Sequence, residues 1–245
     1  MKNSTWYTAA AVFLTVIVGA LILGKAYNYK YDFQNVIAVT GLGEQEFVSD
    51  LIVWKGGFSQ TSIDLQEAYR ALDRNRNTIR NYLLSKGVKE EEVIFSFVNV
   101  NKQTEPIYGA NGNYAGQRFS GYQLYQDFKI ESTDVAKIET LSREISELIA
   151  NGIALESISP EYYYTKLSDL KLELITKATE DARMRAQAIA EKSGTKLGDL
   201  KEGRMGVFQI TAANSNEEYS WGGSYNTASK NKKASITMRL EYHLK

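Results

Sequence analysis

The feature that most limits how this chain can fold is an N-terminal run without charge, from Trp6 to Gly24 (WYTAAAVFLTVIVGALILG). About 19 residues with a rise of ~1.5 Å each nearly cross a ~30 Å hydrocarbon core, which favours a membrane-spanning helix over residues 6–24. Trp6 and Tyr7 at one end and Lys25 at the other suit the two membrane interfaces. A helix buried in a soluble core normally carries a polar face, and this run has none.

A cleaved signal peptide is the alternative interpretation. Its apolar run is usually shorter, roughly 7 to 15 residues, but Gly24 and Ala26 have the small-x-small spacing of a cleavage site. Both interpretations make residues 1–30 an anchor or signal segment and residues 31–245 an extracytoplasmic domain. With the segment retained as an anchor, the leading interpretation, we expect a single-pass protein of the inner or cytoplasmic membrane whose domain faces the periplasm or the cell exterior.

The composition beyond this segment is that of a folded protein and excludes several classes of function. About 215 residues are enough for one large or two small domains with a real core. Three of the 29 basic residues precede the first acid, Asp32, and the remaining 26 are outnumbered by 29 acids. A nucleic-acid partner is therefore not expected, because phosphate binding needs an excess of clustered basic charge. The sequence has no cysteine, which excludes disulfides and thiolate-bound metals.

Three segments have helical periodicity and end at a glycine or at a polar stretch. The first begins after Thr61 or Ser62, the predicted N-cap, and ends at Gly87. The second covers about residues 134–150. The third covers about 168–192 and has an apolar stripe formed by Leu170, Leu174, Ala178, Ala182, Ala186 and Ile189.

The other segments predict strands. Two strands are expected in residues 35–61, with a break near GLGEQEFVSD, followed by a long hairpin over residues 91–132 and further strands at 153–164 and around Val207. The last strand has the clearest alternation, with one face formed by Ala234, Ile236, Met238, Leu240, Tyr242 and Leu244. The predicted fold is α+β, an antiparallel sheet packed by about three helices and preceded by one N-terminal transmembrane helix.

The strand from Val93 to Val100 is apolar on both faces, so we expect both faces to be covered. A neighbouring subunit would cover the second face in a homo-oligomer, and a second layer of the same chain is the alternative.

Residues 212–233 are rich in Asn, Ser and Gly and predict a long mobile loop. Aromatic side chains among such residues are typical of adaptable contact surfaces, so Tyr219, Trp221 and Tyr225 are candidate ligand or partner contacts.

No residue pattern points to catalysis, a cofactor or a metal. His243 is the only histidine and falls on the polar face of the last strand, which favours a surface position over a catalytic triad or a paired-histidine metal site. Glu90, Glu91 and Glu92 lack the Asp/Asn and Gly alternation of a calcium loop and predict a solvated turn. We therefore expect no enzyme and no cofactor.

Two stretches resemble the SIMPL domain family of exported or membrane-anchored bacterial proteins. They are VIAVTGLGEQEFVSDLIVWKGGF, with its Val-Thr-Gly-x-Gly start and an Asp opening the next strand, and ATEDARMRAQAIAEKSGTKLGDL, an alanine-rich helix followed by Gly, Leu and Gly. The resemblance covers nearly all of residues 35–245. It implies helices packed on antiparallel sheet, often in oligomers, and no accepted catalytic residue.

The leading hypothesis is therefore a membrane-anchored envelope protein that acts without catalysis, through homo-oligomeric assembly and interaction. A binding module for a cell-envelope saccharide or peptide, using the loop aromatics, is the second hypothesis. A hydrolase built from carboxylates is the third, and it requires two acids in a closed pocket with one of them desolvated.

Overall fold

The computed structural model describes residues 4–32 and 35–245. This part of the chain contains five α-helices: α1 (Ser4–Asp32), α2 (Leu65–Ser85), α3 (Val135–Glu144), α4 (Glu147–Ala150) and α5 (Leu167–Lys192). It also contains eleven strands: β1 (Val36–Val48), β2 (Leu51–Ser62), β3 (Val93–Phe95), β4 (Asn99–Tyr108), β5 (Tyr114–Ser132), β6 (Ala154–Ser157), β7 (Glu161–Tyr163), β8 (Leu197–Met205), β9 (Gln209–Ala212), β10 (Ser224–Tyr225) and β11 (Asn231–Leu244).

The N-terminal helix α1 includes the predicted anchor, residues 6–24. Among the residues that the structure describes, no helix has both the length and the apolar character needed to cross a membrane. The predicted transmembrane helix is therefore not confirmed and stays a prediction from the sequence. The side chains of Trp6 and Tyr7 lie outside the described ones, so their predicted interfacial position is also untested.

The rest of the chain forms two sheets, and the prediction of one antiparallel sheet is wrong in this respect. The first sheet has the order β1-β11-β9-β10, with β8 also paired to β11. The second sheet has the order β3-β5-β2-β6, with β4 paired to β5 and β7 to β2. All pairs are antiparallel except β9 with β10. The α+β class is confirmed.

The two sheets separate at Ser49 and Asp50, where β1 ends and β2 begins in the other sheet. Asp50 fixes this junction, because its carboxylate accepts hydrogen bonds from both the backbone N–H and the hydroxyl of Thr165, each at 2.7 Å. Thr165 lies just before α5, so one side chain ties the sheet junction to the start of the longest helix of the domain. This is the Asp that opens the second strand of the quoted motif.

α2 and α3 pack on the second sheet and form the larger core with it. The predicted stripe of α2 is buried at Ala68, Leu72, Ile79 and Leu83. The predicted cap is wrong: Asp64 is the N-cap, and its side chain accepts a hydrogen bond from the N–H of Glu67 at 2.8 Å. Asp64 displaces Ser62 from this role because its carboxylate is three residues before that N–H. The core contributed by the sheet comprises Ile52, Trp54, Phe58, Leu124, Phe128 and Ile130.

α5 covers one face of the first sheet. Its predicted stripe is buried from Leu170 to Ala186, but Ile189 is exposed and Ala190 is buried in its place. The step from Ala186 to Ala190 is four residues, which keeps the stripe on one helix face. The predicted apolar face of the last strand is confirmed from Ala234 to Tyr242, where each alternate residue is buried or partly buried.

β1 continues through the predicted break at GLGEQEFVSD as far as Val48. It pairs with β11 over its whole length, from Val36 opposite His243 to Val48 opposite Asn231. The glycines therefore do not interrupt the strand. Asp181 of α5 reaches the same segment and accepts a hydrogen bond from the N–H of Leu42 at 2.9 Å.

The predicted strand around Val207 is also displaced, because β8 ends at Met205 and β9 begins at Gln209.

The predicted strand from Val93 to Val100 is split into β3 and the start of β4. Its inward side chains pack on the core, but Ile94, Phe97 and Val100 are 59%, 79% and 51% exposed. The expected cover of the second face is therefore not supplied by the described residues of this chain.

Candidate functional site

A cleft lies on the face of the first sheet opposite α5. Ile236 in β11 packs in the core beside Leu174 and Ala178, so its neighbours Ser235 and Thr237 point to the opposite face. Residues 213–223, here called the aromatic loop, fold over that face. The cleft between loop and sheet has a volume of about 500 Å³ and is lined by Leu42, Gly206, Val207, Gln209, Tyr219, Ser220, Trp221, Ser235, Ile236 and Thr237.

Gln209 fixes the aromatic loop to the sheet through its side-chain amide. Its Nε2 donates to the carbonyl of Ser220 at 2.7 Å, and its Oε1 accepts from the N–H of Ser220 at 3.1 Å. The same oxygen accepts from the hydroxyl of Ser224 at 3.0 Å. Gln209 is buried, so these bonds are shielded from water. The amide holds Ser220 by the same two backbone groups that a neighbouring strand would bond.

Trp221 lies at the tip of a tight turn that follows this attachment point. The N–H of Gly223 donates to the carbonyl of Ser220 at 3.0 Å, and the N–H of Gly222 donates to the Ser220 hydroxyl at 3.3 Å. Gly223 has φ +90°, which a residue with a side chain rarely adopts. Trp221 is 100% exposed.

Tyr219 precedes the attachment point, Ser220, and contacts the sheet through its hydroxyl. Its hydroxyl accepts a hydrogen bond from Ser235 at 3.3 Å, which leaves the phenolic proton for a second acceptor. Two of the three predicted contact residues, Tyr219 and Trp221, therefore line the same cleft.

Tyr225, the third predicted contact residue, lies elsewhere. It belongs to β10, its ring centroid is 6.3 Å from that of Tyr163, and it borders a second cleft that also includes Lys55, Lys129, Glu131 and Glu161. The three predicted contact residues are therefore divided between two clefts, and their role as ligand or partner contacts stays a prediction. The chain turns at Gly222 and Gly223, between Trp221 and Tyr225, so the two aromatic side chains border different clefts.

Lys232 is a buried polar residue that the sequence did not predict. It is completely buried, and its Nζ donates to the backbone carbonyls of Asn226, at 2.6 Å, and of Ser229. Burial lowers the pKa of Lys232 to about 8, against an opposing effect of Glu217. The sequence did contain a signal for this position. Residues alternate between the two faces of a strand, so Lys232 lies on the same inward face as Ala234 and Ile236.

The predicted mobile loop, residues 212–233, thus contains β10, the start of β11 and the carbonyls held by Lys232. The side chain of Asn226 also donates to Glu217 and accepts from the N–H of Ser229, at 2.5 and 2.9 Å. Its mobility stays a prediction.

The acidic residues hold local contacts. Glu92 accepts from the N–H of Lys89 at 2.9 Å and from the hydroxyl of Ser132 at 2.6 Å, within a 3₁₀ turn, Glu90–Glu92. The predicted turn before a strand is confirmed. In the described residues no three His, Asp or Glu side chains are placed to share a metal ion. His243 is half-buried and pairs in register with Val36.

Hydrogen bonds and cations stabilise the ionised form of several carboxylates. The pKa of Asp181 is lowered by the backbone N–H of Leu42 and by Arg185, and that of Asp134 is lowered by Lys137. The pKa of Glu202 is lowered by Arg204. A general acid at neutral pH needs the opposite shift. These three groups therefore have the properties of structural carboxylates.

The fold defines a two-sheet α+β domain in which an alanine-rich helix packs on a strand that contains the Gly-Leu-Gly motif. The chain belongs to the SIMPL family, whose model, described as a protein of unknown function (DUF541), matches residues 37–241. Both stretches that carried the resemblance lie within or at the edge of that match. No curated protein matches the chain.

Proposed function

We propose that the chain is a non-enzymatic, membrane-anchored envelope protein, with its domain in the periplasm or outside the cell, that acts through homo-oligomeric assembly and interaction. The observation that carries the proposal is the set of exposed apolar side chains at the two ends of β4, at its junction with β3 and on the part of β5 that pairs with β4. A protein that worked only as a monomer would have to leave these side chains in water.

Part of β4 forms a two-stranded ribbon beyond the second sheet. β2 pairs with β5 only between Tyr122 and Ser132, whereas β4 continues to pair with β5 as far as Tyr114. Residues 114–121 of β5 therefore pair with β4 alone in the described chain. A two-stranded ribbon without a packed face is marginally stable in water, so contact with another molecule would stabilise it.

The side chains on and beside the ribbon support this inference. Phe97, Tyr108 and Tyr114 are 79%, 63% and 62% exposed, and Val100, Ile107 and Phe119 are also exposed. The rings of Tyr108 and Tyr114 contact each other at the tip, with centroids 6.5 Å apart. Pro106 lies in β4 opposite Gln117. A proline in an edge strand limits open-ended strand addition and favours contact through side chains.

Light scattering coupled to gel filtration tests the assembly proposal, with the full chain in detergent and the protein mass separated from the detergent mass. We expect a multiple of the 27.5 kDa chain mass. Phe97→Asp should give a folded, smaller species, because a charge in an apolar interface is costly. Leu172→Asp is the matched control: Leu172 is 66% exposed on α5 and its replacement should not change the mass. A wild-type mass of one chain, or an unchanged mass in Phe97→Asp, would overturn the proposal.

Membrane attachment is supported by the exposed apolar side chains of α1. Phe13, Leu14, Leu21 and Leu23 are each at least 65% exposed. Deleting residues 1–30 should move the chain from the membrane fraction to the soluble fraction, with its fold retained by circular dichroism. Retention of the truncated chain on membranes after high-salt and carbonate washes would contradict the single-anchor model.

A further inference from the structure

We propose that the cleft between the aromatic loop and the first sheet binds an uncharged saccharide, with Trp221 stacking on the face of a sugar ring. This inference concerns a different surface from β4 and does not depend on assembly.

Trp221 is fully exposed although the backbone on both sides of it is held. Burial of the indole on the apolar floor of the cleft would be favourable. Instead, Ser220 is attached to Gln209, Gly223 closes the turn, and the indole lies in water at the rim of the cleft. A large exposed aromatic side chain on an anchored backbone is typical of a recognition surface, because an aromatic side chain loses little conformational entropy when it binds.

The lining of the cleft is uncharged. None of the ten residues that line the cleft has a charged side chain. A charged ligand would lose its hydration there without gaining an opposite charge. A sugar has both an apolar ring face and hydroxyls, and the cleft offers both kinds of partner: Leu42, Val207 and Trp221 are apolar, whereas Tyr219 and Thr237 carry hydroxyls.

The floor of the cleft leaves a hydroxyl group uncovered. A Cβ atom at Gly206 would lie 2.4 Å from Oγ1 of Thr237, so the glycine keeps that hydroxyl uncovered. The volume of about 500 Å³ lies within the usual range of small-ligand sites, roughly 300–1,000 Å³. The cleft is therefore large enough for a short oligosaccharide and offers polar groups at its floor as well as an aromatic at its rim.

The position of the cleft argues against a peptide as the occupant. Extended peptides are usually recognised by addition to a free sheet edge, where backbone groups supply the hydrogen bonds. This cleft lies on the face of the sheet, and the backbone of Gly206 beside it already bonds to the carbonyl of Thr237 at 2.9 Å. A ligand that brings its own hydroxyls fits this arrangement better.

Isothermal titration calorimetry on the full chain tests the proposal, in a detergent without a sugar headgroup. The probes are chitotriose, cellotriose and maltotriose, and the uncharged peptide acetyl-Ala-Phe-Ala-amide. We expect saturable binding of at least one sugar, weakened about tenfold or more in Trp221→Ala by loss of ring stacking. Trp221→Phe, which keeps an aromatic face, should recover part of the affinity.

Tyr225→Ala is the matched control, because Tyr225 is in the same segment but borders the other cleft. Its affinity for the sugar should stay within about twofold of wild type, and both variants should keep the wild-type particle mass. The proposal is overturned if no sugar binds at about 10 mM, if Trp221→Ala binds as well as wild type, or if the peptide binds more tightly than every sugar.

Discussion

Gly41 in β1 lies directly against the backbone of Ala178 in α5: a Cβ atom at position 41 would be 2.1 Å from the Ala178 carbonyl oxygen. Gly43, two residues further along the same face of the strand, has the same relation to the carbonyl of Leu174, at 2.2 Å. The two helix carbonyls are four residues apart along α5, and the two glycines are two residues apart along β1. The spacing of successive residues on one face of the helix therefore matches the spacing on one face of the strand. The Gly-Leu-Gly motif therefore allows β1 and the alanine-rich helix to pack with their backbones in close contact.

This contact predicts that Gly41→Ala is strongly destabilising. The added methyl group meets backbone atoms, which cannot rotate away, so α5 must move off the strand. We expect a loss of at least about 2 kcal/mol in the free energy of unfolding, measured by urea denaturation. Gly222→Ala is the control, because nothing lies within 4 Å of its Cβ position, and its effect should stay within about 0.5 kcal/mol. Equal stability of the two variants would show that the helix tolerates displacement.

The sequence predicted those parts of the fold in which one periodic pattern determines one face. The alternation from Ala234 to Tyr242 and the spacing from Leu170 to Ala186 each require only that apolar residues meet the core. The division into two sheets was not predictable in this way, since β1 and β2 have similar composition and the turn at Ser49 and Asp50 depends on contacts with a residue 115 positions later.

The candidate site shows the same limit. The aromatic residues of the loop were noticed because such residues are unusual among Gly and Ser. Their division between two clefts depends on the bonds of Gln209 and Lys232, and neither residue differs from an ordinary strand residue in the sequence. Long-range polar contacts of this kind have no periodic signature.

Lys232 predicts an unusual dependence of stability on pH. Burial lowers its pKa from 10.5 to about 8, so between these values the folded state binds fewer protons than the unfolded state. The free energy of unfolding should therefore rise with pH across that window. Between pH 8 and 9.5 we expect the free energy of unfolding of the wild type to increase by about 1–2 kcal/mol relative to that of Lys232→Met.

Lys233 provides the control for this experiment, because its pKa is shifted the other way. Its hydrogen bond to Glu44 raises the pKa above 10.5, so its contribution to stability is lost only as pH rises beyond that value. The difference between wild type and Lys233→Met should thus stay constant between pH 8 and 9.5. An equally constant difference for Lys232→Met would mean that burial does not lower the pKa of Lys232.

The attachment of the aromatic loop by Gln209 predicts a local change in protease sensitivity. Gln209→Ala removes the two bonds to Ser220 and the bond to Ser224, while the backbone of β9 keeps its pairing with β11. The released backbone groups can bond to water, so the loop should open without unfolding the domain.

Chymotrypsin, which cleaves after aromatic residues such as Tyr219 and Trp221, measures this opening. We expect cleavage within residues 213–223 to accelerate by on the order of tenfold in Gln209→Ala, because the rate follows the population of the open loop. Gln126→Ala is a matched control: Gln126 is also buried and donates to a backbone carbonyl, that of Ser96, at 2.7 Å in the second sheet. That variant should leave loop cleavage unchanged. If Gln209→Ala were cut no faster than wild type, the loop would be held by contacts other than this amide, and if it were cut throughout the chain, Gln209 would support the whole domain instead of the loop.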